Sequence, residues 1–179
     1  RLVEALTEPR PDIALTSDII VGFPGETDED FADTMSLLEA VRFHAAFAFK
    51  FSPRPGTPAL RLMDRDESVP ADVAQARLLV YIERQRALSL AHNQALEGQV
   101  VQTLVEGPSR HDEGVICGRT STFKMVNFPG DVGQKGSFAE VVVTRAFTNS
   151  LRGEPVGEPS SISGSDSAAS PSPRPALLA

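Results

Sequence analysis

The chain has 179 residues, 41% of them hydrophobic, and a formal net charge of −7, a length for one domain or two small ones with apolar content for a packed core over most of it. A single cysteine, Cys117, excludes a disulfide framework and any multi-thiolate zinc or iron–sulfur site made by this chain alone. No basic segment leads into an apolar stretch and no apolar run nears 18 residues, so neither a secretory signal nor a membrane span is expected, and a cytoplasmic location is.

In chain order, Arg1–Thr7 reads as a helix end, Ile13–Val21 as a β-branched strand, Asp28–Val41 as an amphipathic helix and His44–Phe51 as a second strand. This β–α–β order over residues 1–66 implies a parallel sheet covered on both faces, in keeping with the apolar runs Ile19-Ile20-Val21 and Phe47-Ala48-Phe49. Two strands are too few for a stable sheet. Further strands are therefore expected upstream of Arg1, and the chain, which opens without methionine inside a helix, is expected to be a fragment.

Residues 67–97 read as a connecting helix, Ser68–Leu96, with Pro70 and Asp72 in its first turn, an apolar stripe of Val73, Ala76, Leu79, Val80 and Ile82, and Gly98 as its stop. Residues 98–153 switch to short β runs, Val100–Glu106, Gly114–Gly118, Met125–Phe128 and Ala139–Phe147, separated by turn-formers at the spacing of a small antiparallel barrel. This segment carries 6 Lys and Arg against 5 Asp and Glu, whereas residues 1–97 carry 10 against 16. Any nucleic-acid role there must come from which basic residues share a face. Residues 154–179, rich in Pro and Ser, read as a disordered tail.

Two stretches carry chemistry. In Thr16-Ser17-Asp18-Ile19-Ile20-Val21-Gly22-Phe23-Pro24-Gly25-Glu26-Thr27, a strand ends in glycines that permit a sharp turn, and Thr27 with Asp30 forms a capping-box start for the next helix. Ligands of α/β sheets and barrels gather at the carboxyl ends of strands, so this is either a ligand loop or an ordinary tight turn; no Gly-Lys-Ser/Thr follows, which excludes a Walker phosphate loop. In Phe51-Ser52-Pro53-Arg54-Pro55-Gly56-Thr57-Pro58, at the equivalent place after the next strand, Arg54 between two prolines offers a stiff guanidinium fork for a carboxylate or phosphate, or forms a rigid surface turn.

Together these stretches resemble the ends of the fifth and sixth barrel strands in MiaB/RimO-type methylthiotransferases of the radical SAM superfamily, SDxIVGFPGET and FSxRPGTxA. Residues 98–153 are similar to the TRAM domain appended in that family, through Val105-Glu106-Gly107-Pro108-Ser109-Arg110, Gly118-Arg119-Thr120, Lys124-Met125-Val126-Asn127-Phe128 and Asn149-Ser150-Leu151-Arg152-Gly153. The set looks like the tRNA branch rather than the ribosomal-protein branch. The resemblance implies an α/β partial radical SAM (TIM-like) barrel, its last two strands, followed by a small OB-like antiparallel β-barrel, as the C-terminal portion of an enzyme that methylthiolates C2 of N6-isopentenyladenosine in tRNA anticodon loops.

The resemblance further implies S-adenosyl-L-methionine and two 4Fe-4S clusters as cofactors of the full-length enzyme, with the upstream part of the polypeptide and tRNA as partners and a monomer as the expected state. None of the family's cluster cysteines is in this chain, so the fragment alone should be inactive. Where the superfamily's fifth strand usually reads GxIxGxxE, this chain has Asp18-x-Ile20-x-Gly22-x-x-x-Glu26, with Asp in the first place and one extra residue. Asp18, Ile20, Gly22, Glu26 and Arg54 are the implied cofactor contacts. Arg110, Arg119 and Lys124, expected on one rim with Lys135 opposite, are the implied phosphate contacts, and Phe123 or Phe128 the stacking residue. Phe128 serves equally as barrel core. His44, His92 and His111 lack metal-ligand spacing, Cys117 reads as a small buried hydrophobe, and the acidic run Glu26–Asp33 reads as a solvated first turn. The alternatives are a stand-alone RNA-binding module, which would not need GFPGET, and a RimO-type enzyme acting on a ribosomal protein.

Overall fold

The computed structural model describes residues 1–63, 68–110 and 112–157; His111 and all but the first four residues of the expected tail lie outside them. The elements are α1 (Leu2–Thr7), β1 (Thr16–Val21), α2 (Asp28–Val41), β2 (Ala45–Lys50), α3 (Ala59–Met63), α4 (Ala71–Gln94), β3 (Val100–Pro108), β4 (Val115–Thr120), β5 (Met125–Pro129), a 3-10 turn (Val132–Gln134), β6 (Phe138–Ala146) and β7 (Leu151–Pro155).

β1 and β2 pair in parallel, from Thr16 opposite Ala45 to Val21 opposite Lys50, as the β–α–β pattern requires. The helix between them starts where its cap dictates. Thr27 Oγ1 accepts from the Asp30 N–H at 3.1 Å and the Asp30 carboxylate accepts from the Thr27 N–H at 2.9 Å, a reciprocal capping box. It stops at Arg42, in the left-handed region at φ 52°.

One face of the sheet is packed: Ile19, Ala46 and Ala48 lie against a cluster of Leu38, Phe43, Tyr81 and Leu88 from α2, α4 and the α2–β2 link. The other face carries Asp18, Ile20, Phe47 and Phe49, with Ile20 54%, Phe47 66% and Phe49 54% exposed. The expected two-sided cover is therefore not met among the described residues, because α2 and α4 lie on the same side.

α4 differs from its sequence reading. Pro70 is its N-cap, and the buried face is Ala74, Arg77, Tyr81, Gln85, Leu88 and Asn93, whereas Leu79 and Val80 are half exposed. That face is buried in spite of its polar members because each finds a distant partner: Arg77 on carboxylates near α2, Gln85 on the Phe43 carbonyl at 2.9 Å, Asn93 on the Phe147 carbonyl at 2.6 Å. Besides connecting, the helix packs along β2 and α2 and is pinned to the barrel, where the Glu97 carboxylate accepts from the Ala146 N–H at 2.7 Å and the Gly98 N–H donates to the Val143 carbonyl at 2.8 Å.

β3–β7 close into a barrel in the order β3-β4-β5-β7-β6 around Val105, Ile116, Val126, Phe128, Ala139, Val141, Val143 and Leu151. It is mixed rather than antiparallel: β5 and β7 run parallel, Val126 opposite Leu151 and Asn127 opposite Arg152. Parity demands this. Five strands cannot alternate direction all the way round a closed ring, and β7, read in the sequence as motif and tail, is the fifth.

Candidate functional site: strand-end loops and an interdomain cleft

The two loops singled out in the sequence meet at the carboxyl ends of β1 and β2. The Phe51 N–H donates to the Val21 carbonyl at 2.8 Å, and the Phe23 and Phe51 rings meet edge to face at 5.1 Å. Gly22 is required on two counts: its φ is +70°, and a Cβ there would lie 2.6 Å from the Ala74 Cβ of α4. The Glu26 carboxylate turns back into the loop, accepting from the Gly22 N–H at 2.8 Å and from Arg77 at 2.6 Å. At 9% side-chain exposure it is no solvated surface acid, which corrects that reading of Glu26, while Asp28, the second partner of Arg77 at 2.6 Å, is 98% exposed. The hydrogen bond that Arg77 donates to Asp28, followed by the one it donates to Glu26, raises the Arg77 pKa above its ordinary value in spite of burial. Asp18 and Ile20 stand on the open sheet face, and the Arg54 guanidinium is exposed without a partner among the described residues.

The second feature is a cleft of about 1090 Å³ between the α/β part and the barrel. Its barrel wall is the β4–β5 turn, held by the Thr120 hydroxyl, which accepts from the Lys124 N–H at 3.1 Å, and by the Phe123 N–H on the Thr120 carbonyl at 2.9 Å. The turn forces Phe123 to φ +66°, a costly conformation for an aromatic residue, and leaves its ring 76% exposed. The Arg119 guanidinium lies 4.6 Å from that ring and its Nε donates to Glu106 at 3.0 Å. Burial lowers the Lys124 pKa.

The opposite wall carries His44, whose pKa is lowered to about 4 by burial, then by the charges of His92 and Lys124. His44 Nδ1 accepts from the Leu15 N–H at 3.3 Å, its ring stacks on His92 at 4.1 Å, and His92 Nε2 reaches the Arg42 carbonyl at 2.7 Å. On α4 behind this wall, the Tyr81 hydroxyl, Gln85 Oε1 and Asn93 Oδ1 are buried without a hydrogen-bond partner among the described residues.

Arg119, Lys124 and Phe123 are thus brought together, but Arg110 is not with them. It follows the far end of β3, where Pro108 pairs with Ile116, whereas Arg119 and Lys124 sit at the other end, where Thr103 pairs with Thr120. Lys135 shares Arg110's end, so the expected single rim with Lys135 opposite is corrected. Phe128, 1% exposed, is core. Cys117 is only partly buried, its Sγ donating to the Pro108 carbonyl at 3.7 Å. Among the described residues no group of three His, Cys, Asp or Glu could hold a metal ion, and no helix is long and apolar enough to cross a membrane. Sequence reasoning missed Arg77, although Ala74, Arg77, Tyr81, Gln85 and Leu88 recur at helical spacing and mark the inner face.

Comparison with known proteins bears on both features. The TRAM domain family matches residues 94–156, from the end of α4 through β7. Proteins named tRNA-2-methylthio-N(6)-dimethylallyladenosine synthase are similar to the chain: that of Xanthomonas campestris pv. campestris is 46% identical over 151 residues, 84% of this chain and 30% of that protein. That of Acidithiobacillus ferrooxidans is 47% identical over 84% of this chain and 33% of its own length, and that of Moorella thermoacetica 46% identical over 87% and 34%. The chain spans about a third of the length of the curated relatives it matches. A TRAM domain thus occupies the barrel, and over 84–87% of its length the chain is similar to proteins named tRNA-2-methylthio-N(6)-dimethylallyladenosine synthase.

Proposed function

We propose that the chain supplies two working surfaces to a longer, cytoplasmic and monomeric tRNA-2-methylthio-N6-dimethylallyladenosine synthase: one wall of a cofactor pocket at the strand-end loops, and a grip on the tRNA anticodon arm at the barrel. The observation that carries the reading is the placement of Phe123, Arg119 and Lys124 on the wall of a cleft that also borders β1, β2 and α4. An exposed ring held under a guanidinium offers stacking and charge to an unpaired base.

β1 and β2, with both helices on one side, have the form of two adjacent strands of a TIM-like barrel whose interior face holds Asp18, Ile20, Phe47 and Phe49. The iron–sulfur clusters do not fit this chain, since one thiol bonded to a main-chain carbonyl cannot replace a set of thiolates. Their ligands come from other segments of the longer polypeptide, and this portion alone is inactive. S-adenosylmethionine does fit the strand ends: Asp18 and Ile20 face the open side, Arg54 is free to meet a carboxylate, and Gly22 and Glu26 hold the loop in shape. When bound, it supplies the radical and methyl-transfer chemistry. The residues of this chain bind and orient it.

Titration of the chain with an anticodon stem-loop at several salt concentrations tests the RNA half. Arg119→Ala/Lys124→Ala should reduce the salt slope by about 0.7 per lost contact on single-stranded RNA. Equal binding by both proteins would remove these residues from the reading. In the full-length enzyme, Arg54→Ala should raise the KM for S-adenosylmethionine and leave RNA affinity unchanged.

A further inference from the structure

The barrel carries a second arginine-on-aromatic pair, in which the Arg145 guanidinium lies 5.1 Å from the centroid of Phe147, a ring 41% exposed. Strand register places it relative to the first. β5 and β7 are parallel, so the segments that lead into them, Ser121–Lys124 and Phe147–Ser150, emerge at the same end of the barrel. On the outer surface the ladder pairs Cys117 with Asn127, Asn127 with Arg152, and Arg152 with Arg145, while the alternate residues Val126 and Leu151 are core. Asn127 and Arg152 therefore lie between the two pairs. Three strand spacings, about 14 Å, separate the β4 and β6 flanks.

Charge is sorted in the same direction. Of the six basic residues in 98–153, Arg119, Lys124, Arg145 and Arg152 occupy this side, whereas Arg110 and Lys135 share the far end with Asp112, Glu113 and Asp131. Neither Arg145 nor Arg152 has an ion-pair partner among the described residues; Glu106 engages Arg119, and Glu97 engages the Ala146 N–H.

We infer that this outer strip of β4, β5, β7 and β6 is a binding surface for a single-stranded RNA loop, with one unpaired base stacked on Phe123, a second on Phe147, and the intervening phosphates on Arg152 and Arg145. The inference rests on the proposed RNA partnership and deepens it. Two exposed rings a few nucleotides apart suit splayed bases. A stacked A-form helix presents no free base faces to them.

The test compares the chain's affinity for a hairpin with an unpaired loop and for a perfect duplex of equal length and charge. The hairpin should bind at least tenfold tighter. Phe147→Leu, which keeps an apolar side chain and removes the ring, should weaken hairpin binding roughly fivefold to a hundredfold, the loss of one base stack. It should leave the salt slope and the duplex affinity unchanged. Arg145→Ala/Arg152→Ala should lower the slope by about 1.4. A 2-aminopurine in the loop, quenched by the wild type, should regain emission with Phe147→Leu; circular dichroism confirms that the barrel is retained. Equal affinity for hairpin and duplex, or an unaltered Phe147→Leu, overturns the two-platform surface while RNA binding stands. Failure to bind any RNA overturns both.

Discussion

Arg77→Ala should be among the most damaging single substitutions in the α/β part. Arg77 is 7% exposed, and the Glu26 carboxylate it meets at 2.6 Å is 9% exposed, with the Gly22 N–H as its other partner among the described residues. Removing the guanidinium strands a buried carboxylate, a change that costs about 3–5 kcal/mol. The Asp28 arm of the same arginine is 98% exposed on the acid's side, so Asp28→Asn should cost at most about 1 kcal/mol. Glu26→Gln retains a partner for Gly22, and combining it with Arg77→Ala should recover about 2 kcal/mol relative to additivity. The assay is urea unfolding followed by tyrosine fluorescence. The chain has one tyrosine and no tryptophan, and Tyr81, 1% exposed, lies one turn beyond Arg77 in the core being probed. If Arg77→Ala costs no more than Asp28→Asn, or the two substitutions add without coupling, the buried-pair reasoning is refuted.

Gly22→Ala should destabilise the same core by about 1–3 kcal/mol, since the 2.6 Å approach to Ala74 adds overpacking to the strain of φ +70°; Ala74→Gly in the same chain should restore only part in the same assay. Asn93→Ala should release the turn at Phe147 and Thr148, whose carbonyls it holds at 2.6 and 3.2 Å, and hydrogen exchange should show lost protection there with the β3–β4 hairpin unchanged. His44 is neutral in the fold, its pKa lowered from 6.5 to about 4, so its contribution is complete above about pH 6.5 and is lost as pH falls toward 4. With solvent screening in the open cleft the loss is on the order of 1 kcal/mol, and urea midpoints at pH 7.5 and 4.5 should converge in His44→Asn. Anaerobic incubation of the chain with iron and sulfide should leave essentially no bound cluster by iron assay, and a stoichiometric cluster would contradict the assignment of its ligands to other segments.

Local signals were legible and long-range ones were not. The bounds of α2 follow from a capping box written within four residues, Thr27 to Asp30, and the parallel pairing of β1 and β2 follows from one intervening helix. The inner face of α4 was misread because Arg77, Gln85 and Asn93 look like surface residues until their partners, more than forty positions away in the chain, are in place. β7 was hidden because Leu151-Arg-Gly-Glu-Pro is short and interrupted by glycine, and its parallel pairing with β5 is a property of ring closure rather than of its own residues. The strand-end loops were found from their glycines and prolines. The grouping of Arg119, Lys124 and Phe123 without Arg110 needed the barrel's ends to be told apart, which depends on register.

α4 acts as a ruler marked at both ends. Arg77 grips the Gly22–Glu26 loop and Asn93 grips the Phe147–Thr148 turn, sixteen residues apart, so helical rise sets their spacing at about 24 Å. Length and phase are then inherited together. Two residues added to the exposed middle of the helix would lengthen the gap by only about 3 Å but swing the barrel through roughly 200°, carrying Phe123 away from the strands. Seven added residues would keep the swing within about 20° and instead push the barrel about 10 Å farther off.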